Sequence, residues 1–68
     1  MNQKQMNAAK SEMIGWLSHP AELGKAPSKI ECVGEFNLHD LHYYTFKFKK
    51  GFFSKWMYGI AGGYEGNE

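Results

Sequence analysis

The sequence has no arginine, and Cys32 is its only cysteine among 68 residues. Guanidinium is the side chain best suited to bidentate capture of phosphate and to stacking on bases, so dedicated phosphate recognition is disfavoured. A single cysteine excludes a disulfide within one chain. Eight lysines against seven acids give a formal net charge of +1. This balance creates no strong overall field toward nucleic acid or an anionic membrane.

Long hydrophobic runs are also missing from the chain. No stretch approaches the ~20 apolar residues of a membrane span, and none has the length of a signal-peptide core. We therefore expect a cytoplasmic protein. We also expect a single small domain, 1–68, that buries only about 60% of the surface of its unfolded chain. A core of this size rarely supplies more than roughly 3–5 kcal/mol of stability, so small domains usually need further stabilisation. Since a disulfide is excluded, the candidates are a partner subunit and a metal.

Apolar and aromatic residues fall mainly on even-numbered positions between residues 30 and 60. Side chains of a strand point alternately to two faces, so this pattern predicts an antiparallel meander with one apolar face. The expected strands are residues 29–37, 41–49 and 55–61. The residues expected on the core face are Ile30, Cys32, Gly34, Phe36, Leu38, Tyr44, Phe46, Phe48, Trp56, Tyr58 and Ile60.

The strand register follows from keeping the even-numbered residues together. A turn of three residues (38–40) or of five would set Cys32 opposite Phe46, with Glu31 opposite Lys47 on the other face. A second turn at residues 50–54 would complete the sheet. The pairs that it predicts are Phe48 with Trp56, Phe46 with Tyr58 and Tyr44 with Ile60, with Gly34 beside Tyr44.

Residues 2–17 have the periodicity of an amphipathic helix, followed by a linker at 18–28. The helix residues that share the apolar arc are Met6, Ala9, Met13, Trp16 and Leu17. We expect this helix to cover the apolar face of the three-stranded sheet in a two-layer α+β fold. The glycine-rich segment 62–68 is expected to be a flexible tail, because glycine loses the most backbone entropy on ordering.

Catalytic and metal chemistry are poorly supported by the residue pattern. His39, Asp40 and His42 are possible ligands, but a closed zinc site needs four, and Cys32 and His19 lie elsewhere in the chain. Cys32 is expected to face the core as a small hydrophobic residue rather than as an activated nucleophile. We expect no metal, no cofactor and no enzymatic activity.

Lysines and aromatic residues interleave between residues 46 and 56. Single-stranded nucleic acids bind sheets by stacking on aromatic rings beside lysines. Lys50, Gly51 and Phe52 resemble the start of the lysine-glycine-phenylalanine motif of cold-shock and RNA-recognition domains. This resemblance implies nucleic-acid binding. The sequence departs from that motif at the next two positions. The alternative function is therefore single-stranded nucleic-acid binding, through Lys47, Lys49 and Lys50.

The favoured prediction is a small protein-interaction module that acts as an inhibitor, adaptor or regulatory protein. A chain with 43% hydrophobic and 16% aromatic residues is too short to bury them all. The third strand also offers an edge with a single charge, so we expect a homodimer or a complex with another protein. The candidate contact residues are Trp16, Phe52, Phe53, Lys55 and Met57. A third possibility is that these residues are the front half of a larger domain.

Overall fold

The computed structural model describes residues 2–65. It contains helix α1 (Gln3–Leu17) and strands β1 (Lys29–Leu38), β2 (Leu41–Lys49) and β3 (Met57–Glu65). The strands form an antiparallel sheet in the order β1-β2-β3. Helix α1 packs on one face of this sheet, mainly against β3. The predicted α+β architecture is confirmed.

Helix α1 begins with a side-chain cap and buries a narrow stripe. Asn2 accepts a hydrogen bond from the backbone N–H of Gln5 at 3.0 Å, which satisfies one of the free donors of the first turn. The buried side chains of the helix are Ala9, Met13 and Leu17. Trp16, which shares the predicted apolar arc, is 53% exposed and lies outside the buried stripe. These three buried residues are spaced four apart along the helix, and Trp16 does not share that spacing.

The first hairpin has the predicted pairing at its start and a different turn. Cys32 lies opposite Phe46, as predicted. The turn contains two residues, His39 and Asp40, both with positive φ (53° and 65°). A two-residue turn of this kind matches the twist of the flanking strands, and it is shorter than either predicted loop.

A β-bulge at Val33 reconciles the short turn with the first register. The pairing shifts between Cys32 and Gly34, so Gly34 lies opposite Thr45 rather than Tyr44. Two residues of a bulged strand oppose one on its partner, which reverses the parity of everything that follows. Phe36 and Leu38 therefore leave the predicted core face.

Strand β3 differs most from the sequence prediction. Phe46 lies opposite Gly59, not Tyr58, because the last pair of this hairpin is Phe48 with Met57 instead of the predicted Phe48 with Trp56, so the connection is one residue longer. This odd displacement puts Tyr58 and Ile60 on the face away from the helix. Strand β3 also continues to Glu65, so the predicted tail is wrong for residues 62–65. Residues 66–68 lie outside the described part.

The sheet has an inner face toward α1 and an outer face on the opposite side. The inner face packs on the helix, and its buried strand residues are Tyr44, Phe46, Phe48 and Ala61. Gly59 keeps this contact close, since a Cβ there would lie 3.0 Å from Met13 Cε. The outer face points away from the helix. Its apolar side chains are Val33, Phe36, Leu38, Leu41, Tyr43, Tyr58 and Ile60.

Candidate interaction surface

The outer face carries several of the exposed large hydrophobic residues of the described chain. Tyr58 is 72% exposed and Ile60 is 53% exposed, while Val33 and Leu38 each expose about half of their surface. Scattered exposed hydrophobic residues are ordinary, but a contiguous set on one sheet face marks a binding surface or an aggregation hazard. The bulge and the longer loop place these residues together, and neither is visible in the even-number pattern.

Aromatic stacking orders the end of the outer face near the first turn. Phe36 lies opposite Tyr43, and their rings stack with centroids 5.3 Å apart and planes 17° apart. Leu38 and Leu41 form the next pair, beside the turn. Each aromatic ring thus has one side covered by its cross-strand neighbour, which leaves an edge and one side for a partner.

Lysines and Trp56 occupy the other end of the outer face. Lys47 Nζ lies 4.4 Å and Lys49 Nζ 5.0 Å from the centroid of the Trp56 ring, within the range of cation-π attraction. Lys47 also approaches Glu31 at 3.9 Å, in the pair predicted from the register. The prediction that Trp56 faces the core is therefore wrong, because the ring belongs with the lysines.

The five predicted contact residues do not form one surface. Phe52, Phe53 and Lys55 belong to the loop between β2 and β3, and all three are exposed. Met57 begins β3 on the inner face, opposite Phe48. Trp16 lines an open groove of about 350 Å³ beside β3. The other residues that line this groove are Met13, Leu17, Glu22, Phe48, Tyr58, Gly59 and Ile60.

The groove connects Trp16 with the outer face through two residues of β3. Tyr58 and Ile60 line it and also belong to the outer face. Within the described chain β3 pairs only with β2, so its other edge retains unpaired backbone groups. An edge of that kind can accept a further strand.

A polar cluster lies on the inner face near the first turn. His42 contacts Asn37 Oδ1 through Nδ1 at 2.6 Å and Glu35 Oε1 through Nε2 at 2.7 Å. Both ring nitrogens are thus engaged, and this cluster fixes the pairing of β1 with β2 beyond the bulge.

Two tyrosines join this cluster to the helix. The Tyr44 hydroxyl donates to Gln5 Oε1 at 3.0 Å, and its side chain is fully buried. Burial, followed by the nearby charge of Glu35, raises the pKa of Tyr44 above its usual 10.0. Burial, followed by Glu12, likewise raises the pKa of Tyr64. Both rings stay neutral at physiological pH and serve the helix-sheet contact.

The residues considered for catalysis or metal binding are dispersed. The Cys32 thiol lies 3.4 Å from the carbonyl oxygen of Gly34, while both nitrogens of His42 contact other groups. His39 is exposed in the turn. Residues 2–65 contain no group of three or more histidine, cysteine or acidic side chains arranged to hold a metal ion.

Comparisons with known proteins give no relative for this chain. No family model, curated protein or solved structure matches it. Residues 2–65 contain no helix that is long and apolar enough to cross a membrane.

Proposed function

We propose that this chain is a non-catalytic protein-interaction module whose outer face binds an apolar protein surface. A second copy of the chain occupies this face when no other partner is present. The observation that supports this proposal is a sheet with apolar side chains on both faces and a helix against only one of them. An antiparallel sheet face that remains in water normally carries polar residues. An inhibitor, adaptor or regulatory protein would use such a face.

Charge selects how two outer faces would meet. Lys47 and Lys49 lie at one end of β2, and Asp40 lies in the turn at the other end. A two-fold axis running across the strands brings the lysine end of one copy over the Asp40 turn of the other. An axis along the strands would oppose lysine with lysine, which is unfavourable.

The size of the face limits the affinity that it can supply. Three strands spaced ~4.8 Å apart, each contributing about eight residues of ~3.3 Å, give a footprint of about 14 by 26 Å. Such a footprint, about 730 Å² over two copies, lies below the ~1,000 Å² of a stable specific interface and is typical of a weak, transient one. We therefore expect a dimer with a dissociation constant in the micromolar range, about 8 kcal/mol of binding free energy.

Light scattering across a concentration series tests the proposal. The wild-type chain should pass from monomer to dimer as its concentration rises. Ile60→Lys places a charge on the outer face at the middle of β3 and should give a folded monomer at every concentration. Ser11→Lys adds the same charge on the exposed side of α1 and should leave the dimer intact. A wild-type chain that stays monomeric throughout would contradict self-association through this face.

A second candidate function is single-stranded nucleic-acid binding at the lysine end of the outer face. Trp56, Lys47 and Lys49 share that end, contrary to the sequence prediction, so aromatic and cationic groups do meet there. The two lysines lie over the Trp56 ring, however, and would have to move before a base could stack on that side.

A titration with fluorescent oligothymidine at two salt concentrations separates the two candidates. Nucleic-acid binding would weaken steeply with salt and would depend on Lys47, Lys49 and Lys50. Binding to protein through the outer face would depend instead on Tyr58 and Ile60, and would change little with salt. Salt-sensitive oligonucleotide binding by a chain that stays monomeric would therefore favour the second candidate.

A further inference from the structure

The loop between β2 and β3 carries two adjacent exposed phenylalanines at its apex. Phe53 is 95% exposed and Phe52 is 74% exposed, and their rings meet edge to face with centroids 5.0 Å apart. Neither side chain belongs to the core cluster or to the outer face. The two rings therefore do not close one end of the core.

Hydrogen bonds hold the two phenylalanines outward. The Gly51 N–H donates to the Ser54 hydroxyl at 3.0 Å, and the Ser54 N–H donates to the Gly51 carbonyl at 3.1 Å. Lys49 Nζ lies 3.5 Å from the carbonyl oxygen of Phe52. The apex is thus an ordered turn that presents apolar rings to the surroundings, which lowers the entropy lost when the rings are buried by a partner.

All charged side chains in the sequence on either side of this turn, apart from the histidine His42, are lysines. Residues 41–64 include Lys47, Lys49, Lys50 and Lys55 and no aspartate or glutamate. Lys29, at the start of β1, lies opposite Lys49 and adds to the same end of the sheet. The near-neutral total charge therefore conceals a basic end, whose apex carries the two phenylalanines.

We propose that this apex docks on an anionic lipid surface, with Phe52 and Phe53 inserted at the boundary between headgroups and acyl chains. Lysines that surround an inserted apolar group keep their charge at headgroup level while their stems cover apolar surface. Two side chains on a convex turn are too few for a standard protein interface, which engages about 20–30 residues a side. They suffice for a peripheral membrane contact that combines apolar insertion with attraction to anionic lipid. The proposal is independent of the outer face.

Vesicle sedimentation tests this proposal with two lipid compositions. The chain should bind vesicles of phosphatidylcholine mixed with phosphatidylserine, bind pure phosphatidylcholine vesicles far more weakly, and dissociate as salt is added. Phe52→Ser with Phe53→Ser should weaken binding to the mixed vesicles at least about tenfold, because the inserted apolar area is lost. Trp16→Ser removes an exposed aromatic residue elsewhere and should leave binding unchanged. A circular dichroism spectrum verifies that each variant is folded.

Lysine variants of equal net charge locate the contact. Lys50→Gln with Lys55→Gln should weaken binding several-fold, whereas Lys4→Gln with Lys10→Gln on α1 should have little effect. Equal losses from the two pairs would show diffuse charge attraction and overturn the proposal. It would also fail if the mixed vesicles are not bound, or if the phenylalanine variant binds as well as the wild type. Failure to bind the mixed vesicles would leave an acidic groove on a protein as the alternative partner.

Discussion

The inner and outer faces of the sheet carry similar amounts of apolar side chain but differ in what covers them. On the inner face, Tyr44 and Phe46 are fully buried under α1, and the Tyr44 hydroxyl has a partner on that helix. On the outer face, Tyr58 and Ile60 remain mostly in water. The inner face is thus a completed core, and the outer face carries apolar side chains that no second layer covers.

This difference shows that one strand pattern can supply two apolar faces when its register changes along the sheet. Residues of even number face the helix in the first part of β1 and throughout β2, whereas residues of odd number do so in the first part of β3. Substitutions that distinguish the two faces therefore test both the fold and the proposed function.

The largest expected effect is from truncation of the inner face. Phe46→Ala should lower the free energy of unfolding by about 3–5 kcal/mol, since it removes transfer energy and leaves a cavity under α1. So large a loss is expected to unfold most of a 68-residue domain. Urea denaturation followed by circular dichroism measures it. The same truncation at Phe53, which is 95% exposed, should change stability by no more than about 0.5 kcal/mol. Equal losses at the two positions would refute the assignment of Phe46 to the core.

An intermediate effect is expected at a second β-bulge, where the pairing of β2 with β3 shifts between His42 and Tyr43. Gly62 has φ of 124°, and a Cβ there would lie 3.1 Å from the carbonyl oxygen of His42. Gly62→Ala should therefore cost about 1–3 kcal/mol of stability. Gly15→Ala is the matched control, because a Cβ at Gly15 meets nothing within 4 Å on the helix. It should gain about 0.5–1 kcal/mol. Two losses, or two gains, in thermal unfolding would contradict this account.

The smallest expected effect concerns the buried phenol and depends on pH. A raised pKa means that folded Tyr44 keeps its proton to higher pH than unfolded tyrosine, which ionises near 10.0. Stability should thus be unaffected by this group below about pH 10 and fall as pH rises above it. Tyr64 adds to the same trend.

Tyr44→Phe tests that account. The variant should lose about 1 kcal/mol at pH 8 through the hydrogen bond to Gln5, but should lose less stability than the wild type between pH 10 and 11. Urea titrations at these pH values measure both effects. Identical alkaline losses in the two proteins would show that Tyr44 ionisation does not contribute.

The sequence was sufficient to predict the helix, the strand order and the first register. Cys32 opposite Phe46 and Glu31 opposite Lys47 follow from alternation alone. The bulge at Val33 was not predictable, because Phe36 and Leu38 retain the even-numbered pattern while facing the other way. Gly34 was the only local sign of an irregular strand.

The candidate interaction surface was harder to predict from the sequence than the fold. Phe52 and Phe53 were predicted as contact residues, and both are exposed, but the sequence was equally compatible with a loop folded back onto the core. Alternating strands admit either Phe48 opposite Trp56 or Phe48 opposite Met57, and these pairings differ in the position of β3 by one residue. The first pairing, predicted from the sequence, puts Tyr58 and Ile60 in the core. Only the three-dimensional register separates these alternatives.

The most direct test of the two-face account places the same charge on two neighbouring residues of β3. Ile60 is on the outer face, and Ala61 is buried on the inner face. We predict that Ile60→Lys unfolds in urea within about 1 kcal/mol of the wild type, whereas Ala61→Lys loses several kcal/mol because it buries an unpaired charge. If Ile60→Lys unfolds the chain and Ala61→Lys is tolerated, β3 has the register predicted from the sequence and the outer face proposed here does not exist.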